Sequence, residues 1–164
     1  MTGRRTIAGG VALLLVVGAI GFWISQQKGT ERMEGSSGVN TVLSIGLGPA
    51  ALDYSRIPGL DQATLTARIA AGEAALREAG FDFVSCQVPA DPDAAEARIR
   101  ACAAEPFGVA MIGAGVRMAP EYTLLFERLV NVVNDISPGV KFCFNTSPES
   151  TIDALRRWVQ PSKS

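Results

Sequence analysis

From Val39 onward, four short and continuously apolar runs alternate with longer stretches of helical period, and that alternation leaves few folds open. The runs are Thr41–Gly46 (TVLSIG), Asp82–Val88 (DFVSCQV), Val109–Gly113 (VAMIG) and Val140–Asn145 (VKFCFN). None keeps the strict apolar-polar alternation of a strand with one wet face. Runs of this kind suit strands covered on both faces, as in a parallel sheet. Between them lie helices with recognisable ends. The first starts at Asp61, carries Leu65, Ile69 and Leu76 on one stripe, and stops at Gly80 in the C′ position. The second opens on Asp91-Pro92, an N-cap followed by proline at N1, and carries Ala95, Ile99 and Cys102. A third runs from Ala119 through Leu125, Leu129, Val132 and Val133 and ends before Pro138-Gly139. A fourth runs from Ser147 through Ile152, Leu155 and Val159, with Pro148 and Glu149 in its first turn. Parallel strands need right-handed crossovers, so this order predicts an α/β fold. The expected form is a small doubly wound parallel sheet of four strands, order 2-1-3-4, with helices on both faces. Residues 39–164 are enough chain to bury a core of that size.

The N-terminal part reads differently. Residues 1–6 are a short flank. Residues 7–25 (IAGGVALLLVVGAIGFWIS) carry no charge. As a helix they span about 28 Å, close to the hydrocarbon thickness of a bilayer. Trp23 lies at one end, where an interfacial aromatic belongs. We therefore expect one transmembrane helix before the α/β domain, with the lipid bilayer as its partner and a single-pass membrane location. A cleaved secretory signal is the alternative, with Arg4 and Arg5 as its basic start. The apolar core is long for a signal, and no small-x-small site follows. Residues 26–38 are polar, contain GSSG and read as a flexible linker. Arg4 and Arg5 favour an inside N-terminus, which puts the domain outside the cytoplasm. Unpaired cysteines favour a reducing compartment instead. The side of the α/β domain stays open on these grounds. Translation from Met33 would remove the anchor altogether.

Absent residue types narrow the chemistry. There is no histidine, which removes the usual general base, Ser-His-Asp and Cys-His catalysis, and the commonest metal ligand. Cys86, Cys102 and Cys143 form no CxxC pair, so no metal site is expected. Their odd number leaves at least one thiol free or paired between chains. Cys86 reads as a small buried hydrophobe, or else as a redox or nucleophilic group; Cys102 and Cys143 read as core. From Val39 on, 11 Lys/Arg face 14 Asp/Glu with no basic run, so no nucleic-acid partner is expected.

In open parallel sheets, ligands bind beyond the carboxyl ends of the strands, where the strand order reverses. With order 2-1-3-4 that point lies between the first and third strands. The loops there are Gly46-Leu47-Gly48-Pro49, Gly113-Ala114-Gly115-Val116-Arg117 and Asn145-Thr146-Ser147-Pro148. Glycine lets a backbone approach a ligand, and Arg117 offers a fork of donors to a phosphate or carboxylate. The ligand site expected from sequence is therefore Gly46, Gly48, Gly113, Gly115, Arg117, Asn145 and Thr146, taking a small anionic ligand of unknown identity. The glycines equally suit tight βα turns alone, and Arg117 a solvated surface charge. Two alternatives share the same region. One is a nucleotide-dependent enzyme using Asp53 or Cys86 as the reactive group. The other is a tethered protein-interaction module without a ligand.

Gly46-Leu47-Gly48-Pro49-Ala50-Ala51 has the form GxGxxG/A and resembles the dinucleotide-binding fingerprint. It departs from that pattern in context. About ten residues separate it from the Asp61 cap, and Gln87-Val88-Pro89 stand where a ribose-binding acid is expected. Over 39–159 the chain is similar to small, uncharacterised Rossmann-like or flavodoxin-like single-domain proteins, on VLSIGLGP, MIGAGVR and FNTSPEST. That resemblance implies the fold and no catalytic role. No cofactor is assigned.

Overall fold

The computed structural model describes residues 40–162. The expected transmembrane segment 7–25, the linker 26–38 and Met33 lie outside the described residues. Among the described residues no helix is long and apolar enough to cross a membrane.

Four parallel strands form one sheet in the order β2-β1-β3-β4: β1 Val42–Leu47, β2 Phe83–Val88, β3 Val109–Ile112 and β4 Lys141–Phe144. This is the expected α/β sheet and strand order. Four longer crossover and flanking helices are α1 Gln62–Glu78, α2 Pro92–Cys102, α4 Thr123–Ile136 and α5 Thr151–Arg156. One short element was not foreseen. Ala114–Arg117, expected as a glycine-rich loop, turns into a single helical turn, α3.

The caps read from sequence are formed. Asp61 accepts from the Thr64 N–H at 2.6 Å and Asp91 from the Ala94 N–H at 2.8 Å. Gly80 takes φ 80° just beyond α1, which stops the helix as an αL residue should. The fourth helix starts later than its Ser147 signal: Pro148–Ser150 forms a 3₁₀ turn and the α-helix begins at Thr151.

Alternate residues of the central strand feed two cores. Leu43, Ile45 and Leu47 point to one face and pack with Ile99 of α2 and Leu125 and Leu129 of α4. Val42 points to the other face, with Val109 and Met111 of β3, Leu76 of α1, and Ala154 and Leu155 of α5. Ile45, Ile99 and Leu129 are completely buried, and each such side chain contributes about 1.5–3 kcal/mol through removal from water.

The cysteines differ from expectation. Cys86 of β2 and Cys102, the last residue of α2, are joined by a disulfide with Cα atoms 5.9 Å apart. Cys86 is therefore neither a plain buried hydrophobe nor a free nucleophile, and Cys102 is more than core. Their sequence separation of 16 hid the pair, because only the packing of α2 against β2 brings strand end and helix end together. Cys143 is the free, buried thiol, and burial pushes its pKa up to about 11 against a lowering influence from Arg157. At neutral pH it stays protonated and inert.

Candidate functional site

The cavity begins with two missing side chains. The residues of β1 that face α1 are Val42, Ser44 and Gly46; only the first is bulky. On the opposing helix, Gly72 leaves room as well. A Cβ there would stand 3.2 Å from the Pro148 carbonyl oxygen, so α1 leans on the 3₁₀ turn at that point. Further up, α1 stands off the sheet. Of its apolar stripe only Leu76 is buried, while Leu65 and Ile69 are half-buried. The result is a cavity of about 620 Å³ between α1 and the carboxyl-terminal halves of β1 and β3. That is within the usual range for small-molecule sites.

Its walls are mostly apolar. Leu65 and Ile69 form the helix side and Met111 part of the sheet side. Leu52, Ile57 and Leu60 cover it from the long connection between β1 and α1. That connection is held in shape by local bonds. The Tyr54 hydroxyl donates to the Pro49 carbonyl at 2.6 Å, and Asp53 accepts from the Ser55 hydroxyl at 2.6 Å and its N–H at 3.1 Å. These bonds hold the Asp53 carboxyl below the usual aspartate range, which makes it a weak general base at neutral pH.

Apart from Glu73, the charged groups gather at the rim. Arg56 pairs with Glu121, tying the connection to the turn before α4. Arg68 of α1 pairs with Glu149 in a two-pronged geometry, Nε to Oε1 at 2.7 Å and Nη2 to Oε2 at 3.0 Å. The hydrogen bonds from Arg68, then those from Ser147 and the Glu149 backbone, draw the Glu149 carboxyl from 4.5 down to about 2. A depressed carboxyl stabilises the fold above its unfolded pKa and loses that contribution as pH falls through the folded value. The clasp between α1 and the 3₁₀ turn should therefore hold at pH 5 and release between about pH 4.5 and 2. NMR titration of the Glu149 carboxyl should give a midpoint near 2, returning toward 4.5 in Arg68→Ala. An unshifted midpoint in the wild-type chain would refute the pairing. Because Glu149 is largely exposed, the effect on global stability is small.

Of the residues expected from sequence, Gly46, Gly113, Gly115, Asn145 and Thr146 line this one cavity. Gly48 and Arg117 are not among its lining residues. The Gly48 N–H donates to the Val88 carbonyl at 2.8 Å. Arg117 is half-buried away from the cavity: Nη2 donates to the Asn145 carbonyl at 2.8 Å, the guanidinium lies 5.2 Å from the centre of the Phe144 ring, and Nε is shielded without a partner. Asn145 is 6% exposed and bonded at both amide atoms. Its Oδ1 accepts from the Ala114 N–H at 3.0 Å and its Nδ2 donates to Thr151 Oγ1 at 2.8 Å. Thr146 shares a bond with the Ser150 hydroxyl at 3.1 Å. No strand-end glycine uses a positive φ. Gly113 lies with φ −68°, and a Cβ on it would come within 3.3 Å of the Ile45 carbonyl, so its role is close approach.

Sequence reasoning missed the residues on the α1 face. Ser44, Glu73 and Gln87 line the cavity, and Ser85 stands next to them through the register Ser44↔Ser85 and Gly46↔Gln87. The signal was present, since Ser and Gln interrupt two strands that otherwise read as fully buried. Among the described residues no group of His, Cys, Asp and Glu is placed to hold a metal ion. No protein-family model matches the chain, and neither a curated protein nor a solved structure gives a match.

Proposed function

We propose that this is a ligand-binding domain for a small, largely apolar molecule that carries one acidic group. The observation that carries the reading is the cavity of about 620 Å³, with apolar walls and the cationic side chains Arg56 and Arg68 on its rim. The acid would sit at the mouth and the apolar body would enter between α1 and the sheet. Arg68 spends two of its five N–H donors on Glu149, which leaves donors for a ligand carboxylate or phosphate. Arg117, the cation chosen from sequence, faces Phe144 instead. The Rossmann-like affinity read from the sequence, and anchoring through residues 7–25, belong to this same proposal. The Cys86–Cys102 disulfide supports a domain on the oxidising side of a membrane. It withdraws the one argument that favoured the reducing side.

The test is thermal unfolding of the full chain in an amphipathic polymer, since micelles would compete for an apolar ligand. Octanoate, octyl phosphate and octanol are the probes. A ligand that binds only the folded state adds about 2.7 kcal/mol at a hundred times its Kd. Octanoate and octyl phosphate should raise Tm more than octanol. Arg68→Ala should cost the acids about tenfold in affinity, as expected of one partly screened charge-assisted bond, and leave octanol unchanged. No shift with any probe would refute the proposal.

A further inference from the structure

The deep end of the cavity contains a chain of side chains whose hydrogen bonds can run in only one direction. Glu73 of α1 reaches Ser85 of β2, with Oε1 to Oγ at 2.5 Å. A carboxylate only accepts, and its second oxygen, Oε2, accepts from Arg77 at 3.4 Å. The Ser85 hydroxyl must therefore donate to Glu73. Its oxygen is then left as an acceptor, and the Gln87 amide stands beside it at 3.4 Å. Only Nε2 of Gln87 can donate there. The amide oxygen Oε1 is thereby forced to the other side, over Gly46, where a Cβ would approach it to 3.3 Å.

That oxygen has no protein partner, although it is shielded from solvent. An amide oxygen buried without a donor costs about 1–3 kcal/mol, and its orientation is fixed by the bonds behind it rather than by choice of rotamer. Beside it are the Ser44 hydroxyl and the Glu73 carboxylate, both in the cavity lining. Gln87 Nε2 keeps one further N–H and the Ser44 hydroxyl can serve either way, so the group at this end left without any partner is the acceptor Gln87 Oε1. We infer that the deep end of the cavity, built by Glu73, Ser85 and Gln87 over Gly46, selects a ligand carrying a hydrogen-bond donor, a hydroxyl in the simplest case, at the end opposite its acid.

This rests on the function proposed above and adds to it an orientation and a chemical class. The acid stays at the rim with Arg68. A second carboxylate cannot enter, because it would meet Glu73 and an amide oxygen. The ligand class is an apolar acid hydroxylated at its far end. Meeting an incoming hydroxyl requires the shielded Gln87 oxygen to turn about its broad terminal torsion, which gives up only the long 3.4 Å contact to Ser85.

The probes are 8-hydroxyoctanoate and octanoate, titrated into the full chain in an amphipathic polymer, with Gln87→Met as the variant. Methionine keeps the length and removes the oxygen. In the wild-type chain the ratio of affinities should favour 8-hydroxyoctanoate relative to the same ratio in Gln87→Met by about tenfold, the size of one neutral hydrogen bond. The variant without ligand should melt at a higher temperature than wild type, because an unpartnered oxygen has been removed. Equal ratios in the two chains overturn the inference and leave the proposed function standing. Failure of both probes to bind either chain overturns both. A lower melting temperature for ligand-free Gln87→Met also overturns it, since the amide would then be a structural member.

Discussion

Replacing Cys86 and Cys102 together by alanine is expected to lower Tm by roughly 10 °C. The bridge closes a loop with a sequence separation of 16, and restricting the unfolded chain by a loop of that length is worth about 3 kcal/mol. For a domain of this size each kcal/mol moves Tm by roughly 3–5 °C. The position adds to the effect. Cys86 is completely buried in the core shared with Ile99 and Ile45, and the bridge fastens the last turn of α2 to the outermost strand. Without it, β2 is an edge strand held by β1 alone on one side. Thiol counting checks the premise directly. Denatured protein without reductant should show one reactive thiol, from Cys143, and three after reduction. The native chain should show none at pH 7, because the Cys143 thiol is buried with its pKa pushed to about 11. Three thiols in denatured, unreduced protein would eliminate the bridge and, with it, the support for an oxidising compartment.

The parts of the fold that the sequence made legible are those set by local chemistry. Strand and helix order follow from periodicity. Asp61, Asp91 and Gly80 mark helix ends through bonds made within a few residues. The strand order followed from the handedness of crossovers, a rule that needs no particular residue. What stayed hidden depends on contacts between distant segments. The stripe Leu65, Ile69, Leu76 reads as one core face, yet only its last member is buried, because Ser44 and Gly46 across from it leave the others nothing to pack against. A periodic pattern records which side of a helix faces inward. It does not record how far the helix stands from the sheet.

The same limit applies to the candidate site. Five of the seven residues named from sequence line one cavity. Their chemistry was not legible. Arg117 is the only cation in those loops, and only the folded chain reveals that the Asn145 carbonyl and the Phe144 ring hold it away from the cavity. Nothing in the sequence marks Arg68, and only the approach of the Pro148–Ser150 turn to α1 brings it to the rim with Glu149. In sequence the glycines suit either backbone approach to a ligand or tight βα turns alone. Gly46 is better explained by the Gln87 amide lying over it, a contact between neighbouring strands that depends on register.

Asn145 shows how a residue can line a site and still act through the scaffold. Asn145→Ala is expected to cost about 2–3 kcal/mol, because it removes the only acceptor at the Ala114 N–H, a partly buried donor, together with the bond to Thr151. Thr151→Val should cost a comparable amount, about 2–3 kcal/mol. It deletes the bond from Asn145 and the bond Thr151 donates to the Pro148 carbonyl, but leaves Ala114 satisfied. The two variants separate in dynamics. Asn145→Ala should speed hydrogen exchange at the Ala114 amide, and Thr151→Val should not, since in the latter Oδ1 still accepts from that amide. The consequence for binding follows from geometry. Gly113, Ala114 and Gly115 form the cavity wall beside β1, and Asn145 is the side chain that pins the start of α3 to the end of β4. Releasing that pin should weaken octanoate binding more than the loss of stability alone predicts. Unchanged Ala114 exchange in Asn145→Ala would show that the Asn145 side chain is not what fixes this wall.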